Sequence, residues 1–187
     1  MKKKLILIIA FAILFAMATR LQIFALKEND ASKDAVLTID NVGITLNLKN
    51  CNSLSQEETQ NEINKEEQGI IKTIGKKYYI SDHAMQGFSA IKNIDSGTIA
   101  TLVFSDGNKR KYEYCRQNNV TRKKNYTYQE HINGKKLIYV SNGTEQLVDP
   151  HGIPILQSRK YYQYDVVIAT CNTEDGSELT ATYWKEI

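Results

Sequence analysis

Two stretches near the start of the chain, Val36-Leu37-Thr38-Ile39-Asp40 and Gly43-Ile44-Thr45-Leu46-Asn47-Leu48, alternate apolar with polar residues. A period of two puts every second side chain on one face, so the pattern predicts two half-buried strands joined at Asn41. Residues 53–67 are dense in Glu, Gln, Asn and Ser, with Leu54, Ile63 and Ile70 as sparse apolar points. A helix there faces solvent, and Ser53 with Gln56 or Ser55 with Glu58 offers it a capping-box start. Residues 70–75 and 77–81 read as a hairpin about Gly75-Lys76. Phe88, Ile91 and Ile94 fall at helical spacing and predict a short helix or turn after Gly87. Residues 98–104 and 109–116 form a second hairpin across Ser105-Asp106-Gly107-Asn108.

The polar and basic stretch 117–129 reads as a solvated loop. Short strands follow at 136–140 and 146–148. Asp149-Pro150-His151-Gly152 is a turn, and 153–156 continues the sheet. A long strand at 161–170 leads to Cys171, Glu174-Asp175-Gly176-Ser177 turns the chain, and 179–184 is the closing strand. Short strands with regular turns and one or two short helices predict a mostly β fold, an antiparallel barrel or sandwich.

A length of 187 residues is about one domain, and 42% hydrophobic residues with 24% charged is a globular composition. The net charge of +3 gives no electrostatic case for nucleic-acid binding. Lys2, Lys3 and Lys4 precede an apolar run from Leu5 to Met17. A positive end before such a run is the pattern of an export signal or of an N-terminal hydrophobic helix that anchors the chain in a membrane. Residues 1–26 are therefore an anchor or signal segment, 27–35 a polar linker, and 36–187 the folded domain. The lysines stay inside and the domain lies outside, single-pass, or is secreted after cleavage near Ala25.

The three cysteines, Cys51, Cys115 and Cys171, are too few for a disulfide framework, and a Cys51–Cys115 bridge is open. The histidines, His83, His131 and His151, stand apart, with no metal-ligand spacing, and no cofactor motif is present.

The chemistry concentrates in two places. Asp165-Val166-Val167-Ile168-Ala169-Thr170-Cys171 is a short apolar run that ends in a threonine and a thiol. A strand end holds a nucleophile rigidly while the next loop opens to solvent. An attacking cysteine needs a nearby cation or base. His83, just past the strand 77–81, meets that need if the two strands are neighbours and both side chains open at one rim of a barrel.

These residues resemble a sortase, the cysteine transpeptidase family of Gram-positive cell envelopes. Family members carry an N-terminal anchor, a histidine after a strand, and a cysteine that ends a Thr-Leu-x-Thr-Cys strand. Ile168-Ala169-Thr170-Cys171 is similar to the end of that strand, and Ile80-Ser81-Asp82-His83-Ala84-Met85-Gln86-Gly87-Phe88 to the histidine segment. Ile91, Ile94-Asp95-Ser96-Gly97 and the stretch from Ile99 to Asp106-Gly107 are similar to the helix, turn and hairpin that follow. The resemblance runs from Val36 to the C-terminus. It implies a sortase-like closed β-barrel with Cys171 as nucleophile and His83 as acid and base. It also implies a sorting-signal peptide as substrate, and an amine of a peptidoglycan precursor or pilin as acceptor. Asp82, Gln86 and Phe88 then fall beside the groove.

One feature departs from the family. Sortases place an arginine on the strand after the cysteine, and no arginine follows Cys171 here; Glu178 or Leu179 stands in its place. Arg159 could substitute, or backbone N–H groups with the Thr170 hydroxyl could serve. Otherwise the protein is a weakened relative or a non-catalytic binder of an envelope peptide or partner.

Overall fold

The first strand, β1 (Ala35–Ile39), buries alternate residues, with Leu37 and Ile39 fully inside. A 3-10 turn at Asp40–Val42 leads to Gly43, whose φ of 68° is left-handed backbone that a β-carbon would disfavour. Strand β2 (Ile44–Asn50) then returns antiparallel to β1. The computed structural model describes residues 32–66, 68–83, 88–141, 143, 145–173 and 176–187. The N-terminal hydrophobic segment lies outside them, as does Gln86. Among the described residues no helix is long and apolar enough to cross a membrane.

Helix α1 (Gln56–Ile63) crosses over from β2 to β3 (Gln68–Ile74), which pairs parallel to β2. A parallel pair needs such a crossover connection. The helix starts on the Ser55–Glu58 capping box: Glu58 N–H donates to Ser55 Oγ at 3.2 Å, and Ser55 N–H donates to Glu58 Oε2 at 2.8 Å. Strand β4 (Lys77–Asp82) completes the expected hairpin about Gly75. Phe88, Ile91 and Ile94 are buried around a 3-10 turn at Ser89–Asn93. Strands β5 (Ile99–Phe104) and β6 (Lys109–Lys123) form the second hairpin. Next come β7 (Thr127–Ile132) with β8 (Lys135–Val140), a separate two-stranded hairpin, and the short β9 (Gln146–Val148). The chain closes with β10 (Val166–Cys171) and β11 (Glu178–Glu186).

Eight strands run side by side in the order β11-β10-β4-β3-β2-β1-β5-β6, and β6 pairs back onto β11. The sheet is thus a closed barrel, which leaves no edge among those eight. Strand β9 extends the far end of β6.

Three expectations need correction. Residues 117–129 are not a loop: β6 runs on to Lys123 and β7 begins at Thr127. Pairing with β11 over Glu178–Glu186 holds this polar stretch extended although most of its side chains stay exposed. The long strand expected at 161–170 begins only at Val166, because a 3-10 turn at Arg159–Tyr161 precedes it. Residues 153–156 add a single bridge, Val148 to Pro154, rather than a strand.

The interior has two layers. Each of the eight barrel strands sends side chains into the first, including Leu37, Leu46, Ile71, Ile80, Leu102, Tyr112, Ile168 and Trp184. The second covers the outside of β10, β11 and β6, with Val167, Ala169, Leu179, Ala181, Tyr183 and Val120 under Ile155, Tyr161 and Tyr164. Tyr161 stacks on Tyr183 with centroids 5.0 Å apart. Asp149 pins this cover: its Oδ1 accepts from the Ile153 N–H at 2.8 Å and its Oδ2 from the Tyr161 hydroxyl at 2.7 Å. Strand β10 is buried on both faces, which is why it reads as an unbroken apolar run instead of alternating.

Candidate active site

Strands β4 and β10 lie side by side and parallel, in the register Ile80 to Ile168, Ser81 to Ala169 and Asp82 to Thr170. Carried one residue further, that register sets Cys171 beside His83 on strands about 4.8 Å apart. Alternation decides which way each points. Tyr78, Ile80, Val166 and Ile168 fill the barrel interior, so Asp82 and Thr170 turn inward at its end, and both are buried. Tyr79 and Cys171 pack instead against the outer layer with Val167 and Ala169. His83 shares the parity of Tyr79. The thiol and the imidazole therefore open on the outside of the barrel wall rather than into its mouth.

Both line a groove of about 900 Å³. Helix α1 forms one wall with Gln56, Thr59 and Gln60, so it is not simply solvent-facing. Ile70 and Lys72 of β3 and Tyr79 and Ser81 of β4 make the floor, and Asn172, Thr173 and Gly176 border the far side. His83 Nε2 lies 3.0 Å from Asn64 Oδ1, at the C-cap of α1.

The residue that sequence reasoning missed is Arg122, which lines the same groove. Its Nε donates to the Gly176 carbonyl at 2.7 Å, and its Nη1 donates to Glu145 Oε2 at 3.2 Å. A β-carbon placed on Gly176 would meet Cys171 Sγ at 3.6 Å and Arg122 Nε at 3.9 Å, so thiol and guanidinium face one spot. Burial alone would lower the Arg122 pKa, but Tyr79, Glu145 and Cys171 around it outweigh that and leave it raised. The guanidinium has further N–H donors to offer a ligand.

Arg122 reaches this place through a bulge. Strand β6 pairs Tyr114 with Trp184 and Arg116 with Tyr183, so Cys115 is an extra residue between two consecutive pairs. Tyr112 and Tyr114, before it, pack on the barrel interior. After it, Arg116 sits over the Tyr183 ring and Val120 joins the outer layer. The extra residue switches which parity faces outward. Were Cys115 paired regularly instead of bulged, Arg122 would share the interior face with Tyr112. No signal in one sequence marks such a switch, because the residues around it are polar on both sides.

A second cation comes from the 3-10 turn after His83: Lys92 Nζ donates to the Cys171 carbonyl at 3.2 Å. Burial pushes the Tyr79 phenol up, with Ser81 and Arg122 working against it, so the hydroxyl stays neutral. Burial also raises Asp82 to about 6, against the lowering effect of the His83 N–H that Oδ1 accepts at 2.7 Å. Asp82 borders the groove while shaping the turn into His83.

The other expected residues lie elsewhere. Arg159 is exposed in the 3-10 turn, its backbone N–H donating to Glu130 Oε1 at 3.3 Å, and it does not reach the groove. The Thr170 hydroxyl is buried and donates to the Asp82 carbonyl at 3.1 Å, a strand-to-strand tie that takes its proton away from any oxyanion. Phe88 is fully buried in the barrel interior and forms no part of the groove. All three cysteines are free: Cys51 is buried, Cys115 exposed and Cys171 half-buried. Among the described residues no cluster of His, Cys, Asp and Glu could hold a metal ion.

No protein-family model matches the sequence, and no curated protein matches it. Solved structures that the chain is similar to are sortases. Sortase A from Corynebacterium diphtheriae aligns with a TM-score of 0.48 and 10% identity over 83% of this chain and 60% of that one. A Clostridium perfringens sortase D5 transpeptidase aligns at 0.47 and 11%, over 83% and 79%. Sortase C from Clostridium perfringens SM101 aligns at 0.45 and 11%, over 83% and 70%.

Proposed function

We propose that this protein is a sortase-like cysteine transpeptidase, held at the outer face of a cell membrane by its N-terminal segment. The observation that carries the reading is the meeting of a thiol from β10, an imidazole just past β4 and a guanidinium from β6 in one groove outside the barrel wall. Those three groups supply a nucleophile, an acid and base, and a fixed positive charge, which together suffice for acyl transfer.

A sorting-signal peptide lies extended along the groove between α1 and the β4–β10 wall. The Cys171 sulfur attacks the scissile carbonyl carbon, and Arg122 donates to the oxygen as it gains charge. The C–N bond breaks, and the leaving amine takes a proton from the His83 imidazolium. An amine of the cell envelope then attacks the thioester and gives a proton to His83. The C–S bond breaks, and the peptide is joined to its acceptor. Arg122 takes the role that the family assigns to an arginine on the strand after the cysteine.

The test is to incubate the full chain with a fluorogenic sorting-peptide library and search by mass spectrometry for an acyl adduct on Cys171, with Cys171→Ala as control. An adduct in the wild type and none in the variant is expected. A correctly folded protein that forms no adduct with any peptide overturns the reading.

A second reading is a non-catalytic protein that binds an envelope peptide or partner in the same groove. The pairing of Glu145 with Arg122 favours it, because that carboxylate already occupies part of the charge an oxyanion would use. Peptide binding that survives Cys171→Ala without adduct formation in the wild type is its signature.

A further inference from the structure

The end of α1 reaches the imidazole. Asn64 caps the helix, and its Oδ1 accepts from Gln60 Nε2 at 3.0 Å while lying 3.0 Å from His83 Nε2. An amide oxygen only accepts, so in this arrangement His83 Nε2 carries a proton and Nδ1 is the nitrogen left to gain or lose one. A second-partner oxygen on the N–H side of an imidazole favours its cationic form and fixes its tautomer.

We infer that Asn64 is the positioning residue of His83: it holds Nε2 protonated and turns Nδ1 to the chemistry. This rests on the transpeptidase reading only for its catalytic consequence. Among the described residues Asn64 is the hydrogen-bond partner of the imidazole ring. The other charged or titratable side chains that face the groove are Lys72 of β3, Tyr79 and Asp82 of β4, Lys92 of the 3-10 turn, Arg122 of β6, Glu145 before β9 and Cys171 of β10. Their charges act on His83 equally in any variant at position 64, so a change made there isolates the helix contact.

The placement gives α1 a use beyond walling the groove. Its capping box anchors one end, and its other end carries the contact to the imidazole. A peptide that presses on Gln56, Thr59 or Gln60 thereby acts on the proton that His83 must deliver.

The experiment is a histidine titration by NMR of the full chain in detergent micelles, with His83 identified by its loss in His83→Gln. Wild type is compared with Asn64→Ala, which removes the acceptor, and Asn64→Asp, which makes it anionic. The His83 midpoint is expected to fall in Asn64→Ala and rise in Asn64→Asp, each by about half a pH unit or more. The acidic limb of the adduct-formation pH profile moves the same way, and Asn64→Ala loses roughly tenfold in kcat, a part of what acid–base catalysis contributes. A merely structural role would lower melting temperature in both variants and leave the midpoint in place. A midpoint unchanged in folded Asn64→Ala and folded Asn64→Asp overturns the inference. Midpoints that move as expected in a protein that forms no adduct sustain it, and fail the transpeptidase reading alone.

Discussion

The two faces of the β10–β11 wall are built from different materials. Inside, Val166, Ile168 and Trp184 share a layer with mostly aliphatic side chains, among which Tyr78, Phe88, Phe104 and Tyr112 are set. Outside, Val167, Ala169, Leu179 and Tyr183 meet tyrosines, and the layer runs into a groove holding Cys171, His83 and Arg122. The inner face needs only volume and apolarity, which a single-residue alternation supplies. The outer face needs particular polar groups from three distant strands, so it depends on register, parity and one irregularity in β6. The inner face makes the fold, and the outer face carries the proposed chemistry.

That division can be broken at Arg122 first. Arg122→Ala is expected to lower the rate of adduct formation on Cys171 by roughly 10²–10³-fold, the value of a removed oxyanion donor. Its melting temperature should change little. Arg122→Lys keeps the charge without the fork and recovers only part of the rate. The opposite pattern belongs to the inner face. Leu102→Ala empties part of the barrel interior and should cost roughly 2–5 kcal/mol in urea unfolding, while the folded fraction keeps its rate. An Arg122→Ala protein that unfolds, or a Leu102→Ala protein that stays stable but loses activity, would erase the contrast.

Asp82 stands where the two faces meet at the barrel end, and it separates them by pH. Its carboxyl is raised to about 6 in the folded protein, above its ordinary value. Between about pH 4 and 6 the native state therefore holds a proton that the unfolded chain has released, and stability falls as pH rises through that window. Asp82→Asn removes this loss. It should be more stable than wild type at pH 8, by on the order of 2 kcal/mol, and equal to it below about pH 4. Thermal melts at the two pH values read the difference. A gain that is the same at both would show that burial of the charge is not the cause. The smallest effect is at the groove wall: Ser55→Ala removes the capping box and should cost about 1 kcal/mol, read as faster amide exchange confined to α1.

Much of the inner face is legible in the residues. The alternation of Val36 to Leu48 foretells β1 and β2, Gly75 and Asp106-Gly107 mark the hairpin turns, and the Ser55–Glu58 pair starts α1. The strand ends at Cys171 and His83 are legible as well, because each follows an apolar run. Their adjacency is not, since it follows from a parallel pairing between strands 88 residues apart. Arg122 is the least legible part of the site. It sits in a polar stretch that resembles solvated loop, and pairing with β11, supplied from the far end of the chain, is what makes that stretch a strand. Arg159, nearer to Cys171 in the chain, is the more obvious choice and the wrong place, because the turn that holds it faces Glu130.

The bulge at Cys115 carries an evolutionary consequence. Nothing about that residue touches the groove, and its side chain faces solvent. Yet a ladder that ran regularly through Cys115, or one codon lost or gained between Arg116 and Arg122, would turn over the part of β6 that carries Arg122 and withdraw the guanidinium into the barrel. A lineage could lose the guanidinium from the groove, or regain it, through a single in-frame deletion or insertion that leaves Cys171, His83 and Arg122 themselves untouched.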